Sequence, residues 1–229
     1  IFLDSDSEWC WLMDDDGWPA KDALENLHPE NSEEPKWRNS IVLDKDNLDR
    51  LAFGLYFDGG LKILKDDVVN FKIPIESCNP FNGTLLHRNL VYSIGLPIPE
   101  FFIKGDESEY QRRALRYGYK TESYIKSYFF HPAHREPNII DTESSRIWVY
   151  YYKVRNIDAI GDKNGAFAFN KKSSYRLAKN LTKDILYALR KKNITLYDSF
   201  YRIYIVWCGA LAAYLNQPFR WFVPKQKAL

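Results

Sequence analysis

The chain has 229 residues, 45% of them hydrophobic and 27% charged, with a formal net charge of +2, enough for one sizeable core or a core with a smaller helical annex. Its longest apolar run, Ile203 to Leu215, falls short of the roughly 20 residues that span a bilayer. Three widely separated cysteines (Cys10, Cys78, Cys208) argue against a disulfide framework and a thiolate zinc site.

A reducing, cytoplasmic setting is the simplest reading. No N-terminal targeting segment is visible, so the Asn-x-Thr triplets at Asn82, Asn180 and Asn193 carry no weight. The 16 Tyr, 14 Phe and 7 Trp suit sugar-handling clefts, membrane edges and plain cores alike. Charge is uneven. Residues 171–229 hold 12 Lys/Arg against two acids, Asp184 and Asp198, whereas the remaining 170 hold 20 against 28. An acidic body with a basic tail piece implies two regions with different partners.

In chain order, Glu8 to Met13 is apolar on both faces of an extended chain, the pattern of a strand buried on both sides. It runs into Asp14-Asp15-Asp16-Gly17, followed by a short helix through Leu27 and a polar loop over 28–40. Strands are expected at 41–43, 51–57, 61–64 and 71–76, the second and third joined by the Asp58-Gly59-Gly60 turn. Phe81 to Leu86 reads as a further strand, then a brief helix around 89–94. A helix from Glu107 to Tyr117 is stopped by Gly118, and a strand from Tyr119 ends near His131. Two helices close the chain, roughly 171–192 and 196–215.

Three constellations could carry chemistry. Asp14, Asp15 and Asp16 end a strand, where open α/β sheets bind ligands. Alternation sets Asp14 and Asp16 on one side, and adjacent carboxylates repel unless a cation joins them. Oxygen ligands favour Mn²⁺ or Mg²⁺; the plainer alternative is a solvated acidic turn. In Phe101-Phe-Ile-Lys-Gly-Asp-Glu-Ser-Glu-Tyr110, Asp106 can be an N-cap with Glu109 as its capping-box partner, which leaves Glu107 for other work. His131-Pro-Ala-His134 is either structural or a metal-ligand pair beside the acids.

Taken in order, these motifs resemble those of the family-2 inverting glycosyltransferases, the galactofuranosyl- and rhamnosyl-transferases among them. Trp9 to Pro19 is similar to the family's strand-plus-DDD segment. Phe81-Asn-Gly-Thr-Leu-Leu86 and Gly95-Leu-Pro97 resemble its next segments, Phe101 to Arg113 its acidic block, and Tyr150-Tyr-Tyr with Arg155-Asn156 its close. The resemblance implies a GT-A-type mixed sheet flanked by helices, with Asp14, Asp16 and His131 holding the metal against the donor diphosphate. Glu107 would deprotonate the acceptor, with Asp106 orienting it or capping the helix, and the two roles can be exchanged. Asp15, Asn82, Gly83, Glu109 and His134 would line the donor and acceptor sites. The chain departs from the family at Glu107, where Asp is usual, and at Lys104, where Trp is common. The family's nucleoside-binding strands lie upstream of the DDD segment, and this chain opens at Ile1 without them, so it reads as part of a longer enzyme.

The expectation is therefore an α/β protein: a GT-A catalytic region over 1–145 lacking its nucleoside-binding part, then a helical region over 146–229. It would move a galactofuranose- or rhamnose-like sugar from a UDP- or dTDP-linked donor to an oligosaccharide or lipid-linked acceptor of the cell envelope. A non-catalytic carbohydrate-binding module on a membrane surface and a metal-dependent phosphoesterase are the alternatives. On the helix from 171, Leu177, Leu181, Ile185 and Leu189 form a stripe beside Lys171, Lys172, Lys179 and Lys183. This helix either packs by its stripe with a solvated cationic face or meets an anionic leaflet, placing the protein on the inner face of the plasma membrane. A nucleic-acid partner is not expected, because the acidic body repels phosphate.

Overall fold

The computed structural model describes residues 2–28, 35–71, 75–133 and 138–217. In chain order its elements are β1 (Trp9–Leu12), β2 (Trp18–Pro19), α1 (Ala23–Leu27), β3 (Trp37–Asp44), β4 (Asn47–Phe57), β5 (Gly60–Leu64), α2 (Asp66–Val69), β6 (Thr84–His87), α3 (Arg88–Ile94), α4 (Asp106–Arg116), β7 (Thr121–His131), α5 (Val149–Asn156), β8 (Ile160–Gly161), β9 (Phe167–Ala168), α6 (Lys171–Arg190) and α7 (Leu196–Tyr214). The architecture is α/β, a mixed sheet flanked by helices with a helical C-terminal region. Two compact units divide the chain, Ile1–Leu96 with Gln111–Arg135 and Pro97–Tyr110 with Glu136–Leu229.

The first unit is built on β3. All of its residues are buried, because it has neighbours on both sides: β6 and β4 antiparallel on one, β7 parallel on the other. Parallel pairing with both faces covered demands this continuous burial. Residues 28–40 are thus not all loop, since Trp37 to Ser40 are central strand. Conversely β1 pairs with β6 and ends the order β1-β6-β3-β4-β5. Its four residues are half-buried rather than covered on both faces. The strand expected from Phe81 begins only at Thr84, because Phe81 and Gly83 have φ of 67° and 68°, outside extended geometry. Of the strand expected at 71–76, Ile75 makes an isolated bridge to Ser123, and 72–74 lie outside the described residues.

The β3–β7 register slips between Ser40 and Ile41, leaving extra residues in β7. Ser127 sits in that bulge and donates to the Ala23 carbonyl at 2.8 Å while accepting from the Ser40 hydroxyl at 2.8 Å. The bulge thereby ties α1 to the sheet, and β7 runs on to finish at His131.

In the second unit, α5, α6 and α7 enclose a core of Tyr151, Tyr152, Val154, Ala178, Ile185, Ile205 and Val206. A Cβ on Gly209 would stand 2.5 Å from the Tyr151 carbonyl oxygen, so α7 approaches α5 as closely as backbones allow. Asn170 and Thr195 cap α6 and α7 by accepting from the amides of Ser173 and Asp198, as such residues do. The stripe on α6 is core: Ile185 is buried, and Leu177 and Leu181 pack against the same cluster. Among the described residues no helix is long and apolar enough to cross a membrane.

Candidate metal centre

Within the first unit, β1 and β7 end at the same side of the sheet, since β1 and β6, then β6 and β3, pair antiparallel and β3 and β7 parallel. The acidic segment leaves β1 there and crosses to β2, which pairs with Phe129 and Phe130 of β7. A Cβ on Gly17 would lie 2.4 Å from the Phe129 ring and 2.9 Å from the Phe130 carbonyl oxygen. Glycine at that position lets the acidic loop rest on the end of β7.

There His131 Nε2 stands 2.8 Å from Asp16 Oδ1 and 3.7 Å from Asp14 Oδ2. One ligand atom from each residue lies within 4.8 Å of the others. His131 is buried, and its Nδ1 is 2.6 Å from the Pro132 carbonyl oxygen. A carbonyl only accepts, so Nδ1 carries the proton. Nε2 of a neutral ring then directs a lone pair at two carboxylates, a repulsive arrangement that a proton or a cation on Nε2 relieves. Two carboxylate oxygens and an imidazole nitrogen oriented by a backbone carbonyl are compatible with a divalent cation. Burial raises the proton affinity of Asp14; His131 opposes this, Asp16 and Asp15 add to it, and a hydrogen bond from Asn82 again lowers it.

Asn82 joins the cluster from the loop before β6. It is buried, donates to the Pro80 carbonyl at 3.2 Å, and leaves its Oδ1 buried without a partner. Gly83, next to Asn82, lies against Ser40 and Phe129. Asp15 is exposed beside the two acids. His134 falls outside the described residues.

The acidic block belongs to the second unit. Helix α4 starts at Asp106 itself, and the Gly105 carbonyl accepts from the Glu109 amide at 2.8 Å, so Gly105, not Asp106, holds the cap position. Burial raises the proton affinity of the Asp106 carboxyl, while the amides of Asp106 and Glu107, and then Lys104, lower it. Glu107 is half-buried in the same first turn. Glu109 is buried and accepts from the Gly161 amide at 2.9 Å, a contact that holds the β8 end of the small hairpin.

No protein-family model matches the chain. Over 137 residues it is 29% identical to galactofuranosyltransferase GlfT1 of Mycolicibacterium smegmatis, a span covering 55% of this chain and 44% of that protein. It is 30% identical over 133 residues to galactofuranosyltransferase GlfT1 of Mycobacterium tuberculosis, covering 55% and 43%. This chain is similar to galactofuranosyltransferases. It spans less than half the length of the curated relatives it matches.

Two asparagines, Asn39 and Asn156, brace the loops that carry candidate residues. Asn39, on β3, accepts from the Trp37 indole at 2.9 Å and the Thr84 hydroxyl at 3.0 Å, and donates to the Asn79 carbonyl at 2.6 Å. It secures the loop that presents Asn82, and only its position in a strand misread as loop could have flagged it. In the second unit Asn156 donates to the carbonyls of Phe101, Ile103 and Lys104 at 2.9, 3.1 and 2.8 Å. Arg155 donates to the carbonyls of Glu100 and Phe101 and, through Nε, to Asn156 Oδ1. Phe102 and Lys104 hold φ near 62° and 63° in the loop so gripped, a conformation L-residues keep only under such constraint. The Arg155-Asn156 pair, which closes the motif series in the sequence, shapes the turn before Asp106.

Proposed function

We propose that this chain is the metal-binding, catalytic part of an inverting, GT-A-type glycosyltransferase that moves a galactofuranose- or rhamnose-like sugar from a UDP- or dTDP-linked donor. The acceptor would be a hydroxyl of an oligosaccharide or lipid-linked cell-envelope glycan. The observation that carries this is the meeting of Asp14, Asp16 and His131 Nε2 at the end of the sheet, with the imidazole already committed through Nδ1. The similarity to galactofuranosyltransferases over 55% of the chain adds support.

Bound by Asp14, Asp16 and His131, Mn²⁺ or Mg²⁺ would supply positive charge against the departing nucleoside diphosphate. The Pro132 carbonyl keeps His131 in the tautomer that offers Nε2, and Asn82 steadies Asp14 by donating to it. Asp15, Asn82 and Gly83 would border the donor. Glu107 accepts the proton of the acceptor hydroxyl as its oxygen attacks the anomeric carbon, Asp106 orients that acceptor, and Glu109 would line its site. Because burial makes Asp106 a better proton acceptor than an ordinary aspartate, an exchange of the two roles is the reading to test against. A two-metal phosphoesterase is disfavoured: among the described residues one group of metal-ligating side chains is present, and such sites need two.

The test is transfer by the full-length enzyme. Titration of donor with Mn²⁺ present should give turnover that EDTA abolishes, and full activity in EDTA would overturn the proposal.

A further inference from the structure

Helix α7 is built inside out. Its only charged residues are Asp198, which accepts from the Thr195 hydroxyl at 2.8 Å in the first turn, and Arg202, which is buried against the carbonyls of Ile139 and Thr142. Toward solvent it presents Tyr197, Phe200, Tyr204, Trp207, Leu211 and Tyr214, each between 37% and 80% exposed. Steps of three and four put these six on one face of the helix, and no polar side chain interrupts it. The row continues onto α6, where Tyr175 meets Trp207 at 5.7 Å between ring centroids and the Lys171 ammonium lies 4.9 Å from the Tyr214 ring.

Along α6, exposed Lys172, Arg176, Lys179, Lys183 and Arg190 recur at helical spacing and form a cationic row of their own. An aromatic face rich in Tyr and Trp, adjoined by lysine and arginine, matches the boundary between lipid headgroups and acyl chains. A contiguous exposed apolar face also marks an interaction site in general, and the flanking charge selects the partner. Two copies of this chain meeting face to face across a two-fold axis would bring their cationic rows together. An anionic bilayer would neutralise that row.

We propose that the aromatic face of α7 seats in the interface of an anionic membrane, with the α6 cations resting on its headgroups. The α6 leucine stripe takes no part, being packed in the core. This holds whatever reaction the first unit performs.

Co-sedimentation of the 229-residue chain with phosphatidylglycerol and with phosphatidylcholine vesicles tests it. The parent should pellet with the former, and binding should weaken as salt rises past a Debye length comparable to the charge spacing. Replacing exposed aromatic and leucine side chains, Tyr197→Gln, Phe200→Gln and Leu211→Gln together, should cut partitioning by about tenfold or more. The thermal transition should stay unchanged, because none of the three is buried. Lys172→Gln, Lys179→Gln and Lys183→Gln together should remove the preference for phosphatidylglycerol. Vesicle binding by the Tyr197/Phe200/Leu211 variant equal to the parent's would overturn the proposal. So would a parent that stays in the supernatant, or one that sediments in solution as a dimer which this variant dissolves.

Discussion

Two polar clusters, one in each unit, are built on opposite terms. Around Arg155 and Asn156 both side chains are fully buried and their donors meet backbone carbonyls or each other. Around Asp14, Asp16 and His131 two carboxylates stay partly exposed and face a ring nitrogen whose sister atom is already spent, with an amide oxygen of Asn82 buried beside them and unpartnered. A polar group buried without a partner costs free energy, and the Oδ1 atom of Asn82 is in that condition. The satisfied cluster holds a loop, whereas the other is compatible with a divalent cation.

The sharpest way to break this contrast is to remove the acids. In the full-length enzyme Asp14→Ala or Asp16→Ala should abolish Mn²⁺-dependent transfer, with the circular-dichroism spectrum retained, and Asp15→Ala should be milder. Calorimetry of the two variants with Mn²⁺ should show no binding heat, and unimpaired binding would sink the metal assignment. Next in size is the acid block. Glu107→Gln should lower turnover by about 10²–10⁴-fold, the worth of a general base, with donor and metal affinity unchanged. A crippled Asp106→Asn beside a near-silent Glu107→Gln would reverse the roles.

The satisfied cluster should fail differently. Asn156→Ala strips donors from three carbonyls and should cost about 2–3 kcal/mol, seen as a lower urea midpoint, while the metal affinity of the first unit stays put. The smallest effect is linked to pH. Burial raises the Asp106 carboxyl above its ordinary range, so the folded chain holds that proton longer than the unfolded chain does. As pH rises from the ordinary aspartate range through the raised value, the unfolded state releases its proton first and the fold loses stability. Asp106→Asn should be more stable than the parent at neutral pH, with the gap closing in acid. A constant gap across that range would remove burial as the cause.

Motifs and their chemistry are local, and much of the site was legible in them. The acidic run after an apolar strand marked the end of β1, and the strand leading to His131 marked the end of β7. What placed them together was the register of β3 against β7, which no local pattern records. The capping assignment at Asp106 failed for a related reason: the positive φ of Gly105 lets glycine take the cap, and that conformation is imposed by Asn156 from another helix.

Taken alone, the residue order determined the long helices and the acid cluster, because helical spacing and strand-end carboxylates are properties of neighbouring residues. Only the tertiary structure decided which strand is central and which face of a helix is inside. Glu8 to Met13 read as a doubly buried strand, yet burial depends on neighbours, and β1 stands at an edge while β3, opening in an apparent loop, has strands on both sides. On α7 the apolar run from Ile203 shows in the sequence only as too short to span a bilayer, with no sign of which face is buried. The close approach to α5 at Gly209 admits small side chains there, with Ala210, Ala212 and Ala213 buried nearby, so the large rings of its other face are left to solvent.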